Sequence, residues 1–227
     1  MLTLRKEKKL WKKGFKFVVG LDEAGRGPLA GPVIAAAVMI KPKTRIQKLK
    51  KEIKIKNLKD SKKLSAKKRE EIYKILRKSK LIEWGIGIVS EKTIDKINIK
   101  NAAELAMERA LKNLERKIKK KADFIIIDGN HLNSKYLKSK NYKLIVKADE
   151  RICSCALASI LAKVKRDKIM EKYAKKFPKY KFEIHKGYPT KEHLKVLKKY
   201  GPCKIHRRSF LPVKFCYNYK KGRKTRN

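Results

Sequence analysis

Short apolar runs rich in β-branched residues recur along the chain and are separated by polar segments. The three clearest runs cover residues 15–21, 33–40 and 124–127, and two weaker runs cover residues 82–89 and 143–146. Runs of this length and composition are typical of buried β-strands. We therefore predict three strands at the first positions and two less well-marked strands at the others.

Segments with helical periodicity lie between and after these runs. The clearest lies within residues 101–121, where six apolar residues share one face, and a second is predicted over residues 66–78 after the capping residue Ser65. Two more helices are predicted over residues 156–175 and from about residue 190. Strands mixed with helices predict an α/β fold.

The length of the chain, 227 residues, suits one large domain. We place this domain at residues 15–217, between a basic flexible extension at residues 1–14 and a basic tail at residues 218–227. The longest apolar run has eight residues, so no membrane-spanning helix is expected. The four cysteines lack the C-x-x-C spacing of common zinc and redox sites, and we interpret them as reduced residues of a cytoplasmic protein.

The charge of the chain is strongly unbalanced. It carries 65 lysines and arginines against 21 aspartates and glutamates, a formal net charge of +44. An excess of this size suggests a polyanionic partner such as nucleic acid. Most of the basic residues are lysines, however, and a chain rich in Lys, Ile, Asn and Tyr is also what an AT-rich genome encodes. The charge alone therefore does not decide the function.

The few acidic residues fall at informative places. Asp22 and Glu23 follow the first strand-like run, Asp128 follows the third, and Asp149 follows the last of the weaker runs. If these strands are neighbours in one sheet, their ends bring the carboxylates together. Clustered carboxylates repel one another in a low-dielectric cleft, and oxygen-binding cations such as Mg²⁺ or Mn²⁺ relieve that repulsion.

Ordinary turn chemistry is the alternative explanation for these acids. For a single Asp before Gly, as at Asp128, that explanation is the better one. Three acid-ended strands in an acid-poor chain favour a metal site instead. Two divalent ions held by such a site can promote phosphodiester hydrolysis.

Other candidate residues lie in loops. Gly25, Arg26 and Gly27 begin a glycine-rich loop that could approach a phosphate or ribose, although a plain turn explains the spacing equally well. The spacing matches neither a dinucleotide-binding fingerprint nor a P-loop. Lys62 could contact a phosphate, but a solvated loop is the simpler explanation in so lysine-rich a chain. Tyr188 could stack on a sugar or a base, or simply pack in its turn.

Several segments, in the same order along the chain, resemble the motifs of ribonuclease HII, the type 2 ribonuclease H. Together they span roughly residues 17–213, and their number and order make the resemblance highly specific. The segments are residues 20–33 (GLDEAGRGPLAGPV), 60–64 (DSKKL), 127–130 (IDGN), 147–149 (KAD), 158–167 (ASILAKVKRD), 187–193 (GYPTKEH) and 206–210 (HRRSF).

The resemblance implies an RNase H-like fold, a mixed sheet flanked by helices with a helical C-terminal part. It implies an endonuclease, dependent on Mg²⁺ or Mn²⁺, for RNA–DNA hybrids and for duplex DNA that contains single ribonucleotides. The cut is expected on the 5′ side of the ribonucleotide, with 3′-hydroxyl and 5′-phosphate products. We expect a monomer that works in DNA replication and ribonucleotide excision repair, with no membrane partner.

The family pattern also implies residue roles. The catalytic and metal-binding residues that it implies are Asp22, Glu23, Asp128 and Asp149. The substrate-binding residues that it implies are Gly25, Arg26, Gly27, Lys62 and Tyr188. The 2′-hydroxyl distinguishes RNA from DNA, so a close backbone loop beside it makes physical sense. One departure lies next to a ligand, since Ala148 stands where many bacterial members have glycine.

Our hypothesis divides the carboxylates between two ions. One ion, held by Asp22, Glu23 and Asp128, would activate the attacking water, and a second, held by Asp22 and Asp149, would stabilise the departing 3′-oxygen. Two alternatives stay open at this stage. A non-catalytic basic nucleic-acid-binding protein would explain the lysines but not the acids. Another RNase H-like metal nuclease, such as a resolvase, would explain the acids without requiring a ribonucleotide.

Overall fold

The computed structural model describes residues 3–42, 44–52, 64–133, 135–138 and 141–216. Within these ranges the chain forms a five-stranded mixed sheet surrounded by helices, which confirms the predicted α/β class. The strands are β1 (Val18–Ala24), β2 (Val33–Ile40), β3 (Ile82–Val89), β4 (Phe124–Asp128) and β5 (Tyr142–Ile145). The helices are α1 (Arg5–Lys12), α2 (Ile46–Glu52), α3 (Ala66–Lys78), α4 (Glu91–Ile118), α5 (Ala148–Arg151), α6 (Cys153–Lys176), α7 (Phe182–His185) and α8 (Lys191–Tyr200).

The sheet has the order β3-β2-β1-β4-β5. Strands β1, β2 and β3 pair antiparallel, whereas β4 and β5 run parallel to β1. The middle strand β2 is buried along all eight residues, as expected for a strand covered on both faces. The parallel strands β1, β4 and β5 end on the same side of the sheet, so their carboxyl ends form one edge.

Helices cover both faces of the sheet. One core cluster joins Val19 and Leu21 of β1 to the apolar residues of α4, and another joins the alternate residues of β2 to α6. Gly20 allows α6 to approach closely, because a Cβ at that position would lie 2.6 Å from the backbone nitrogen of Cys155. Gly87 does the same for α4, where a Cβ would overlap the carbonyl of Ala106. The two long helices therefore lie directly against the sheet.

Helices form at the predicted positions, but α4 starts earlier than the sequence predicts. Helix α3 has the predicted bounds, and the Ser65 hydroxyl accepts a hydrogen bond from the amide of Lys68 at 3.2 Å. Helix α4 begins ten residues before the predicted 101, and Asn98 interrupts it with a φ of 62°. The Asn98 side chain caps the amide of Asn101 at 3.0 Å, so the predicted segment is the second half of a kinked helix.

The N-terminal segment differs from the expected flexible extension. Residues Arg5–Lys12 form α1, and both Glu7 in this helix and Leu4 directly before it are buried. One oxygen of Glu7 accepts hydrogen bonds from the amide and the hydroxyl of Ser154, both at 3.0 Å. The lysine-rich sequence of this segment gives no sign of the Glu7–Ser154 contact, because the two residues are 147 positions apart. The division of the chain at residues 14 and 217 stays a prediction, and the tail from 218 onward lies outside the described residues.

The C-terminal part is helical, as the family resemblance implies. A short 3₁₀ helix (Pro178–Tyr180), α7 and α8 enclose a small aromatic cluster that includes Phe182 and Tyr180. Residues 211–216 form a last helical segment. An isolated bridge between Ala30 and His206 joins this part to the loop that follows β1. The C-terminal part therefore lies beside the carboxyl ends of the strands.

Candidate active site

Three aspartates meet at the carboxyl edge of the sheet. Asp22 lies in β1 and Asp128 ends β4, and the pairing of Leu21 with Ile127 makes the two aspartates neighbours. Asp149 lies in the short helix α5, which follows β5. One carboxylate oxygen from each aspartate lies within 4.8 Å of the others. The structure therefore brings together three of the four predicted metal ligands.

Backbone amides fix two of these carboxylates. The amide of Glu23 donates to Oδ1 of Asp22 at 2.7 Å, and the amide of Ala148 donates to Oδ1 of Asp128 at 2.7 Å. The second contact links β4 to α5, the helix that carries Asp149. Because Asp149 lies in a helix rather than at a strand end, its position depends on the αL conformation of Lys147, with a φ of 56°.

Glu23, the fourth predicted ligand, lies beside the three aspartates rather than within their close group. Its Oε1 accepts a hydrogen bond from Nη1 of Arg26 at 3.2 Å. Within the described part of the chain, its buried Oε2 has no hydrogen-bond partner. One oxygen is thus held by the loop that follows β1, while the other is available to an added ligand.

Burial and mutual repulsion act on this group of acids. Burial raises the pKa of Asp22 well above its usual value, and the charges of Glu23 and Asp128 raise it further. Burial also raises the pKa of Glu23, although the charge of Arg26 opposes the shift. Carboxylates that are this close and this buried gain from a divalent cation, which favours their ionised forms. An oxygen-only donor set fits Mg²⁺ or Mn²⁺.

The predicted substrate-binding residues line the adjacent cavity. Gly25, Arg26 and Gly27 line a cavity of about 370 Å³ together with Glu23 and Tyr188. The Tyr188 side chain is 38% exposed, so its ring is accessible from solvent. The remaining predicted contact, Lys62, lies outside the described residues.

Two basic residues of the same cavity were not assigned from the sequence. Nζ of Lys163 lies 2.8 Å from Asp167 and 5.5 Å from the ring centre of Tyr188. Arg69 also lines the cavity, and its Nη1 donates to the carbonyl of Leu64 at 2.5 Å. Lys163 lies in one of the family-like segments, where its spacing from Asp167 predicts the observed ion pair rather than a role in the site, whereas nothing in the sequence separates Arg69 from the other basic residues.

A larger cavity, of about 930 Å³, lies between β3 and α4 and contains none of the aspartates. Six of its eleven lining residues are lysines and arginines of α4 and of the segment directly after it, and the side chains of Arg109 and Asn113 donate to the carbonyls of Ile88 and Ile86 in β3. Cavity size therefore does not identify the site, and the carboxylate group does.

Three buried histidines support the segment that carries Tyr188. The Cys203 amide donates to Nδ1 of His206, so Nε2 of His206 carries the proton and donates to Nε2 of His193 at 3.1 Å. Nδ1 of His193 then donates to the carbonyl of Tyr188 at 2.9 Å. His185 stacks on His193 with ring centres 4.2 Å apart. Burial lowers the pKa of His193 to about 4 and that of His206 to about 3, so the chain of hydrogen bonds is neutral at physiological pH.

No helix in the described ranges is long and apolar enough to cross a membrane.

Comparison with known proteins places these features in one family. The family model described as Ribonuclease HII matches residues 19–213. A Ribonuclease HII from Caldicellulosiruptor bescii is 47% identical over 205 residues, which cover 90% of this chain and 91% of that protein. A Ribonuclease HII from Caldanaerobacter subterraneus is 46% identical over 205 residues, covering 90% and 78%. The crystal structure of the ribonuclease H2 from Pyrococcus horikoshii superposes with a TM-score of 0.70 at 26% identity, covering 90% of this chain and 98% of that chain.

Proposed function

The chain belongs to the ribonuclease HII family, and from this premise we propose that it is a divalent-metal-dependent endonuclease that also cuts duplex DNA at single embedded ribonucleotides. As a member of the family it is a ribonuclease H, a hydrolase that cleaves the RNA strand of RNA–DNA hybrids. The observation that carries the proposal is the meeting of three aspartate carboxylates within 4.8 Å at one edge of the sheet.

The proposed centre consists of Asp22, Glu23, Asp128 and Asp149, which would hold Mg²⁺ or Mn²⁺. Bound divalent ions would lower the pKa of the attacking water and stabilise the charge on the departing oxygen. The amides of Glu23 and Ala148 hold Asp22 and Asp128 in place, so the carboxylates need little rearrangement to bind a cation. The division of ligands between two ions stays a prediction.

The reaction adds water across one phosphodiester bond. The water oxygen attaches to phosphorus while the bond from phosphorus to the 3′-oxygen of the preceding nucleotide breaks. The preceding nucleotide leaves with a 3′-hydroxyl, and the ribonucleotide keeps a 5′-phosphate. Cleavage on this side places the ribose of the reacting nucleotide next to the carboxylates and its 2′-hydroxyl near the loop.

Recognition of the ribose is assigned to the cavity beside Glu23. Gly25 and Gly27 bring backbone close to a bound sugar because they carry no side chain. Tyr188 offers an accessible ring and Arg26 a cation at the same cavity. Lys62 would contact a phosphate of the same strand. Phosphate contacts set position, and contact with the 2′-hydroxyl separates RNA from DNA.

Product mapping tests the proposal directly. We would incubate the full chain and Mn²⁺ with an end-labelled duplex that carries one ribonucleotide, with an all-DNA duplex of the same sequence, and with an RNA–DNA hybrid. The expected result is one cut 5′ of the ribonucleotide, multiple cuts in the RNA strand of the hybrid, and none in the all-DNA duplex. Cleavage of the all-DNA duplex at a similar rate would indicate a DNA nuclease instead. Binding of all three duplexes without any cleavage would indicate a non-catalytic protein.

A further inference from the structure

We propose that Arg166 and Arg207 are positioning residues that hold the loop of residues 25–32 in its substrate-binding conformation. The inference deepens the proposed function, because it rests on the role of that loop in recognising the ribose. Neither arginine is a proposed ligand of metal or substrate. Both act through the backbone of the residues that are.

Both side chains are buried in an unusual way. Arg166 and Arg207 have a relative exposure of 0% and are the two largest fully buried side chains of the described residues. Within the ranges that the structure describes, neither forms an ion pair with a carboxylate. The charges of Asp95 and Glu91 act on Arg207, and that of Asp167 acts on Arg166, without a close ion pair. A buried charge without a close counter-charge is costly unless hydrogen bonds compensate it. Their partners therefore indicate what the two guanidinium groups are for.

Within the described residues, every hydrogen-bond partner of the Arg207 guanidinium is a carbonyl of the loop. Nη2 donates to Gly25 at 2.6 Å, Nη1 to Arg26 at 3.0 Å and Nε to Gly31 at 2.9 Å. In a trans peptide the C=O and the following N–H point in opposite directions. The amides of Arg26 and Gly27 are therefore turned away from the guanidinium, as donors on the face of the loop opposite Arg207.

Arg166 completes the same arrangement from the side of α6. Nε donates to Pro32 at 3.1 Å, Nη2 to Ala30 at 3.0 Å and Nη1 to Lys186 at 2.9 Å. The last contact reaches the segment that carries Tyr188, whose ring centre lies 5.6 Å from the guanidinium carbon. One side chain thus fixes the loop relative to the tyrosine that shares its cavity.

The loop is shaped to receive these side chains. Gly25 has a φ of 101°, and a Cβ there would overlap the side chain of Arg166 and lie 2.8 Å from the carbonyl of Pro32. Glycine is required at this position by backbone conformation and by space together. Arg166, Arg207 and Gly25 therefore form one packed unit.

Asp95, whose charge favours the charged form of Arg207, gives a way to loosen this unit while both buried arginines stay in place. The Asp95 carboxylate of α4 accepts hydrogen bonds from the amide of Arg208 at 3.0 Å, from the amide of Ser209 at 2.9 Å and from the Ser209 hydroxyl at 2.7 Å. These bonds hold the backbone directly after Arg207. Asp95→Ala should let Arg207 move while the core stays intact.

Asp123 supplies a matched control. Its carboxylate also accepts two backbone amides, from Lys16 at 2.7 Å and Phe17 at 2.9 Å. It precedes β4, at the end of the sheet opposite the aspartates. Asp123→Ala therefore removes comparable hydrogen bonds from a part of the molecule that does not touch the loop.

The test compares Asp95→Ala, Asp123→Ala and Arg207→Lys in the full chain. The first readout is the single-turnover cleavage rate on the single-ribonucleotide duplex at saturating enzyme, and the second is amide exchange of residues 25–31. Loss of positioning by about 1 Å can slow catalysis roughly 100-fold, so we expect a loss of roughly 10- to 100-fold in Arg207→Lys and a smaller loss in Asp95→Ala. Both variants should show faster exchange confined to the loop and to residues 205–210. Asp123→Ala should show neither effect.

Two results would overturn the inference. One is equal rates and equal loop exchange in Asp95→Ala and Asp123→Ala. The other is a slower rate with unchanged loop exchange in a folded Arg207→Lys. If Arg207→Lys does not fold, the comparison of the two alanine variants still decides. Failure of the wild-type chain to cut the single-ribonucleotide duplex would instead contradict the proposed function.

Discussion

Two groups of like charge are buried next to one loop, and their charges are compensated in different ways. Asp22 and its acidic neighbours repel one another, and burial with the charges of Glu23 and Asp128 raises the pKa of Asp22. Arg166 and Arg207 also carry like charges, and burial with the charge of Arg166 lowers the pKa of Arg207 to about 9. The arginines are compensated by six carbonyls of the chain itself, and Arg207 also by the charges of Asp95 and Glu91. The acids are left with oxygens suited to an added cation.

This difference in compensation distinguishes the acids, which form the candidate active site, from the arginines, which hold the neighbouring loop in place. A buried polar group that the chain satisfies internally fixes one conformation, because any other conformation leaves the group without partners. A group of repelling carboxylates instead binds whatever cation neutralises it. The comparison predicts that changes to the acids alter activity more than folding, and that changes to internally satisfied groups alter folding or positioning.

The largest expected effect comes from removing one acid. Asp22→Asn and Asp128→Asn should each lower the cleavage rate on the single-ribonucleotide duplex by about 1000-fold or more, because a cation ligand is lost. The same variants should be at least as stable as wild type to heat without metal, since one repelling charge is gone. Cleavage rates and melting temperatures check both parts, with Asp123→Asn as control. An active Asp22→Asn, or one much less stable than wild type, would contradict the comparison.

Cation binding by the folded chain should be visible without any nucleic acid. Mn²⁺ at about 100 times its dissociation constant should stabilise the wild type by about 2.7 kcal/mol, because only the folded state brings the aspartates together. Thermal unfolding with Mn²⁺, Mg²⁺ or chelator measures the effect. The shift should disappear in Asp128→Asn and persist in Arg207→Lys. Equal shifts in wild type and Asp128→Asn would place the cation elsewhere.

The histidine cluster of His185, His193 and His206 is a third buried group. Its hydrogen bonds can all form only when the histidines are neutral. Its folded-state pKa values lie below the ordinary value of about 6.5. The unfolded chain therefore binds more protons below that pH, so the stabilisation is full above about pH 6.5 and is lost as the pH falls toward about 4. The free energy of unfolding should decrease by up to about 1.4 kcal/mol per pH unit for each such histidine.

His206→Gln should reduce the slope of the free energy of unfolding against pH by the contribution of one histidine, up to about 1.4 kcal/mol per pH unit. Denaturant unfolding at several values between pH 7.5 and pH 5 measures the slope. His131→Gln, at an exposed histidine outside the cluster, is the control. An identical slope in wild type and His206→Gln would show that His206 is not held neutral by the fold.

The smallest expected effect concerns Glu7, a buried carboxylate that the chain satisfies in part. Glu7→Ala removes two hydrogen bonds to Ser154 and should lower the free energy of unfolding by about 1–2 kcal/mol. The cleavage rate should stay at the wild-type value, because Glu7 contacts no residue of the site. Lys8→Ala, on the exposed side of α1, is the matched control. A large loss of cleavage with normal stability would assign α1 to the active site.

Local signals in the sequence predict local structure well. The Ser65 cap fixes the start of α3, and apolar runs give the positions of all five strands to within a few residues. The same signals do not predict structure that depends on contacts between residues far apart in the sequence. Glu7 anchors α1 through Ser154, and the kink at Asn98 divides α4, and neither is visible in periodicity.

The candidate site likewise has residues that the sequence predicts and residues that only the structure reveals. The acids stand out because acidic residues are scarce and follow apolar runs, so the meeting of Asp22 and Asp128 could be predicted from the sequence. Arg166 and Arg207 lie in two of the family-like segments, but their role could not be assigned, because nothing in the sequence shows that they are buried or what they contact. Only the tertiary structure shows that five of their six carbonyl partners belong to one loop and that the sixth is Lys186, in the segment that carries Tyr188.

The central claim is that the aspartates hold the cation on which cleavage depends, and a metal titration of the cleavage reaction tests it most directly. The chelated chain is mixed with the single-ribonucleotide duplex, and Mn²⁺ is added in steps to wild type and to Asp128→Asn. The account predicts no product before addition, cleavage 5′ of the ribonucleotide that saturates with Mn²⁺ in the wild type, and none in Asp128→Asn. Full cleavage by the chelated chain, or equal titration curves for the two proteins, would contradict it.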